Sequence, residues 1–258
     1  MLIEKIRMMI GKLNSMNNKE EFFEKIKNNI EREDFHITVV QTSENPRFAY
    51  TIGNLEKLQF ELILAGNENY LYEDVLKIFN SIVPKLSKEL NTNEFSLEVK
   101  GLGTFRLKQI HDSWSKLMML GVYDYYKVEG FRAYQILPDN KHYTLDIPDM
   151  SIEWNADNII WKWLDDSIKW NLEVPQDSQV VTEVKVLFGE KITEITRWEE
   201  NEWEGFTQNG EDVDKDNLRV IPIATLLGID NSLEPILKLG IEKGLWREDE
   251  NSEWNSWD

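Results

Sequence analysis

Hydrophobic spacing changes period several times along the chain, and each change predicts an element. Over residues 18–33, NKEEFFEKIKNNIERE, the positions Phe22, Phe23, Ile26 and Ile30 recur at helical spacing behind Asn17 or Asn18 as cap. FHITVVQT (35–42) then alternates and is β-branched, RFAYTIG (47–53) continues as a second strand, and FELILAG (60–66) is apolar enough for a central third. NYLYEDVLKIFNSIVPKLSKEL (69–90) sets Leu71, Val75, Ile78, Phe79, Ile82 and Leu86 on one helical face, with Pro84 kinking its later part. FSLEVKG and TFRLKQI flank a turn at Gly101–Gly103, SWSKLMMLGVYDYYK (113–127) predicts a helix, and FRAYQILPD a strand closed by Pro138.

That order is helix, three strands, helix, two strands, helix, strand, which predicts an α+β domain over 1–150 with a mixed or antiparallel sheet and packed helices. Residues 151–174 hold Trp154, Trp161, Trp163 and Trp170, the density of a helix clamping two halves together or of a packed linker. After Pro175 the pattern restarts as VVTEVKVLFGE, ITEITRW and EWEGFTQ, read as three strands of a meander. With the NGEDVDKDN loop and the apolar run from Arg219, this predicts a smaller α+β module over 175–258, its tail ENSEWNSWD loosely ordered.

Charge narrows the partners. The net charge is −18, and residues 175–258 carry 20 acidic and 8 basic side chains, net −12. Phosphate backbones and anionic lipid are gripped mainly by lysine and arginine, so neither nucleic acid nor a membrane surface is an expected partner. A basic protein is. The sequence has no cysteine and no apolar run long enough to span a bilayer. Its opening MLIEKIRMMIGKL is broken by Glu4, Lys5 and Arg7 with no small-residue cleavage site after it, so the expected location is the cytoplasm.

Chemical motifs are scarce. His36, His111 and His142 are far apart and form no metal pattern, and no P-loop, GxGxxG or GxSxG stands in the chain. No metal and no cofactor are expected. Glu61 is set in the apolar run FELILAG, where a carboxylate needs partners. His36, Tyr50 and Thr51, on neighbouring predicted strands, lie within its reach. Two readings follow: a polar pocket with a raised carboxyl pKa suited to acid–base work, or a carboxylate that holds a loop.

In the acidic half, Trp198 and Trp203 flank a carboxylate-rich hairpin with Glu199, Glu200, Glu202 and Glu204, and the following loop adds Glu211 and Asp212. Exposed tryptophan beside carboxylates is the expected look of a hot spot for an arginine-rich partner.

The stretch FHITVVQTSENPRFAYTIGNLEKLQFELILAG resembles a bacterial family known as domain of unknown function 4262, through Val39, Pro46, Phe48, Ala49, Tyr50, Thr51, Gly53, Glu61, Leu62 and Gly66. YQILPD is similar to its closing motif through Gln135, Pro138 and Asp139, so the likeness covers about residues 33–150. Phe35 and His36 stand where the family has glycine and tryptophan, Asn54 where it has leucine, and Gln59 with Phe60 where it has histidine and proline. A site using that histidine is absent here.

Val186–Glu190, Ile192, Ile195, Arg197, Gly244, Arg247 and Glu248 resemble a small module appended to such proteins and similar to parts of immunity proteins encoded beside toxins. The resemblance implies an immunity protein that occludes a basic toxin. The alternative is a small-molecule enzyme or sensor using Tyr50, Thr51, Glu61 and His36.

Overall fold

A computed structural model describes residues 19–88, 92, 94–208, 210 and 213–257, and its fold is α+β with two six-stranded mixed sheets. The opening segment 1–18, Glu211 and Asp212 lie outside the described residues. Helix α1 spans residues 19–33. The first sheet is built from β1 (His36–Val40), β2 (Phe48–Ile52), β3 (Phe60–Ala65), β4 (Ser96–Val99), β5 (Gly103–Gln109) and β6 (Arg132–Leu137). Its order is β1-β2-β3-β6-β5-β4, antiparallel except between β3 and β6. The parallel pair forces a crossover, supplied by α3 (Tyr72–Leu86), β4, β5, α4 (Asp112–Met118) and α5 (Leu120–Tyr126).

Both faces of this sheet are covered, which explains why β2 and β3 are buried along their full length. One core packs Leu62, Leu64 and Ala49 against Val75, Ile78, Phe79 and Ile82 of α3. The other packs Phe48, Tyr50, Ile52 and Ile63 against Ile26 of α1, Trp114, Met118 and Val122. The single helix predicted over 113–127 is two short ones. Met119, at φ −114° and ψ 38°, breaks the α-geometry between them.

The tryptophan-rich segment is not a helix. It runs as turns with one 3-10 turn, Lys162–Leu164, and divides its side chains between cores. Trp161 is buried against Trp114 in the first lobe, whereas Trp170 packs on the core of the second lobe.

The second sheet holds β7 (Gln179–Glu183), β8 (Glu194–Arg197), β9 (Glu202–Phe206), β10 (Leu218–Pro222), β11 (Lys243–Trp246) and β12 (Asn255–Trp257). The order β10-β7-β9-β8-β11-β12 departs from the expected meander, because β7 and β9 are parallel. The run VVTEVKVLFGE leaves the sheet at α6 (Val184–Leu187), which lets the chain cross to β8 on the far side of β9. The tail, expected to be loose, forms β12 and pairs with β11.

One face of this sheet is the third core, where Val180, Ile195, Trp203 and Ile221 meet α6, α7 (Ile223–Ile229) and the 3-10 helix Asn231–Lys238. Arg247 is buried beside that helix, with Nε and Nη2 donating to the Ile192 carbonyl and its guanidinium 4.3 Å from the Trp254 ring centroid. The two lobes touch through Leu145 N–H on the Leu187 carbonyl and through Arg219, which donates twice to the Asn69 carbonyl. No helix among the described residues is long and apolar enough to cross a membrane.

Candidate functional site

The strand FAYTI divides its polar groups by face. Tyr50 points with Phe48 and Ile52 into the core below α5, and a Cβ on Gly121 would lie 2.6 Å from its hydroxyl oxygen. Thr51 points the other way. Gly66 N–H donates to the Arg47 carbonyl, so strand alternation would send Leu62 N–H to the Thr51 carbonyl. Instead it donates to Thr51 Oγ1 at 2.9 Å, and the β2–β3 ladder stops at Tyr50–Ile63.

Glu61 fills the opened end. Its Oε2 accepts from the Thr51 hydroxyl at 2.6 Å, and Oε1 from the amides of Gly53, Asn54 and Leu55 at 3.1, 3.0 and 3.1 Å. Gly53 takes a φ of +123°, which turns the chain so that these amides converge before the short helix α2 (Leu55–Leu58). Glu61 is 0% exposed. Burial pushes its pKa up to about 8, against the opposite pull of the Thr51 hydroxyl and the three amides.

The four residues expected to share a pocket are therefore separated. Thr51 and Glu61 meet, Tyr50 lies on the opposite face of β2, and His36 pairs through Nδ1 with the Asn29 amide at 2.8 Å. Burial, and then Lys25, lowers the His36 pKa. This corrects the shared-pocket expectation: adjacent strand residues point apart, and Glu61 is engaged by protein donors on both oxygens.

A second buried polar cluster, not anticipated from the sequence, lies between the lobes. Glu68 Oε1 accepts from Thr42 and from the Arg47 amide, and Glu68 N–H donates to Asp146 Oδ2 at 2.9 Å. Arg47 Nη2 donates to the carbonyls of Asn67 and Tyr70. Burial raises the pKa of both Glu68 and Asp146. Arg47, Glu68 and Arg219 edge a cleft of about 390 Å³ where the two sheets approach. Every guanidinium N–H bond of Arg219 goes to a backbone carbonyl, of Asn69, Asp216 or Leu218, which makes this cluster a joint.

The open face of the second sheet is different in kind. Cross-strand register aligns Val220, Val181, Glu204, Thr196, Gly244 and Trp257 in one row across all six strands. Glu194 stands beside that row, opposite Phe206 on one side and Trp246 on the other. Trp198 is 49% exposed, and its Nε1–H donates to Glu204 Oε2 at 2.7 Å, which fixes the ring over the sheet. Burial and then the charge of Glu204 raise the pKa of Glu194. Neither Glu194 nor Glu204 forms an ion pair among the described residues.

Of the partner residues expected here, Trp198, Glu199, Glu200 and Glu202 are exposed and Glu204 is half-buried on the open face. Trp203 is the correction. It is 1% exposed in the core, with the Arg197 guanidinium 4.6 Å from its ring centroid. Strand alternation explains it, since Glu202 and Glu204 face out and the residue between them must face in. The sequence reading missed Glu194, Thr196, Phe206 and Trp246, although the i, i+2, i+4 series Glu194, Thr196, Trp198 carries the signal.

Among the described residues no group of three or more histidine or acidic side chains is arranged to hold a metal ion. No curated protein and no solved structure matches the chain. Residues 29–143, from the end of α1 past the last strand of the first sheet, match the family model described as "Domain of unknown function (DUF4262)", and the first lobe is similar to that family.

Proposed function

We propose that the chain is a non-enzymatic binding protein that docks a basic protein partner on the open face of its second sheet. Its most concrete form is a cytoplasmic immunity protein that occludes a toxin. The observation that carries this reading is Trp198, half-exposed and fixed by Glu204 on a sheet face where Glu194 and Glu204 have no cationic partner among the described residues. An exposed aromatic rimmed by polar groups marks an interaction surface, and a basic partner would bury the indole and neutralise the carboxylates. The excess of acidic side chains after residue 175 supports the same polarity.

Glu61 favours no competing enzyme reading, because its oxygens hold the loop 53–55. The test is co-expression with the basic product of an adjacent gene, scored by growth rescue and by a stoichiometric complex on size exclusion. A complex that Glu199, Glu200, Glu202 and Glu204 reversed to lysine abolish supports the proposal. Rescue that survives the reversal removes the open face from the interface, and no complex with any adjacent basic product overturns the immunity reading.

A further inference from the structure

The open face contains a depression of about 430 Å³ whose lining includes Glu194, Thr196, Trp198, Glu204 and Phe206. Glu194 is opposite Phe206 and Thr196 opposite Glu204, so the two carboxylates are diagonal neighbours on adjacent antiparallel strands. Such neighbours stand about 7–8 Å apart at the backbone, a gap that a flat cation can bridge. Trp198 occupies only one oxygen of Glu204.

The independent observation is Thr196. It is only 8% exposed and lines the depression, yet its hydroxyl makes no hydrogen bond among the described residues. Its oxygen is not sealed from solvent but opens into the depression, where a donor that enters can reach it.

We infer that this depression is a subsite for a guanidinium group, filled by an arginine side chain of the partner; the inference rests on the docking reading of the same face. The guanidinium plane stacks on the Trp198 indole while its N–H groups donate to Glu194, to the free oxygen of Glu204 and to the Thr196 hydroxyl. Arginine suits this arrangement better than lysine. Its donors diverge in a plane that meets two carboxylates and an indole together, and it is the more weakly hydrated cation.

The probes are acetyl-Gly-Arg-Gly-amide and acetyl-Gly-Lys-Gly-amide, titrated against the full chain. The readout is the indole N–H resonance of Trp198, assigned with Trp198→Phe. The arginine peptide is expected to give a saturable shift and the lysine peptide to bind about tenfold more weakly. Glu194→Gln should weaken the arginine peptide about tenfold and Thr196→Val by a smaller factor, with thermal midpoints unchanged.

A shift that does not saturate, that is equal for both peptides, or that survives Glu194→Gln overturns the subsite and leaves general attraction to an acidic surface. The two readings fail separately. If the four-glutamate reversal abolishes partner binding while Glu194→Gln changes neither partner nor peptide affinity, the docking face stands and the guanidinium subsite falls.

Discussion

The Thr51 hydroxyl donates to the Glu61 carboxylate at 2.6 Å while accepting the Leu62 amide at 2.9 Å. One side chain therefore replaces a backbone carbonyl at the end of the β2–β3 ladder and opens the space that Glu61 occupies. The consequence is a loop, 53–55, whose amides are satisfied by a carboxylate from inside the sheet.

Replacing Glu61 with alanine would leave three amides and a hydroxyl without their acceptor. The expected cost is about 3 kcal/mol, read from urea unfolding at neutral pH. Glu61→Gln keeps acceptor capacity on one oxygen and should cost less. The pH dependence has a definite sign. With the folded pKa raised from 4.5 to about 8, the folded state holds the proton that the unfolded state has lost. The contribution of Glu61 is then complete below about pH 4.5 and is lost as pH rises through about 8, so wild type weakens relative to Glu61→Gln across that window. A wild-type advantage that grows with pH would contradict this.

Tyr50 and Gly121 should behave as a coupled pair. A methyl group on Gly121 meets the Tyr50 hydroxyl oxygen at 2.6 Å but the ring carbon Cζ only at 3.5 Å. Gly121→Ala is expected to destabilise by about 1–3 kcal/mol, and Tyr50→Phe should recover most of that loss. A double-mutant cycle with no coupling energy would mean that the helix shifts to absorb the methyl.

The first sheet was legible because each of its strands is a separate alternating or apolar run bounded by turn residues. Glu61 was legible for a related reason: a carboxylate inside FELILAG has to be partnered. What failed was geometry beyond one strand. Tyr50, Thr51 and His36 were grouped because they stand on neighbouring predicted strands, although β2 turns Tyr50 and Thr51 to opposite faces. VVTEVKVLFGE is apolar at both periods, so the switch from β7 to α6 left no mark in its spacing. The tryptophans of 151–174 signalled burial, which turns supply as well as a helix does. Glu194 and Thr196 alternate with Ile195 as surface residues should, yet the chain does not announce that no helix among the described residues covers their side.

Arg219 should set how firmly the lobes are joined. Its Nε and Nη2 donate to the Asn69 carbonyl at 2.9 and 2.7 Å, across the cleft between the sheets. Arg219→Ala is expected to cost about 1.5–3 kcal/mol, the range for a hydrogen bond from a charged donor. Hydrogen exchange should rise at residues 67–72 and 216–221 together, with the strands behind them unchanged. Arg219→Lys keeps the charge and loses the fork, so it should resemble the alanine variant. Equal protection in all three proteins would show that the Leu145–Leu187 bond and the packing of Ile229 on the first lobe's core hold the lobes without it.

Trp198 and Trp203 are five residues apart and should separate binding from stability. Trp203 fills the third core at 1% exposure, so Trp203→Ala should cost about 3–5 kcal/mol and lower partner binding only by reducing the folded fraction. Trp198 is 49% exposed and contributes one hydrogen bond to Glu204. Trp198→Ala should change stability by less than about 1 kcal/mol, yet weaken a basic partner about a hundredfold, as removal of a central interface aromatic does. Reversing Glu199, Glu200, Glu202 and Glu204 to lysine acts on a different quantity. Glu199, Glu200 and Glu202 are exposed, while Glu204 holds the Trp198 N–H. The reversal should therefore slow association, abolish most of its salt dependence and, through Glu204, leave no complex stable on size exclusion. Stopped-flow association at two ionic strengths reads that effect, and dissociation reads the loss of Trp198. If Trp198→Ala left dissociation unchanged while Trp203→Ala accelerated it at equal folded fraction, the partner would have to reach the buried face of this sheet, and the open-face assignment would be wrong.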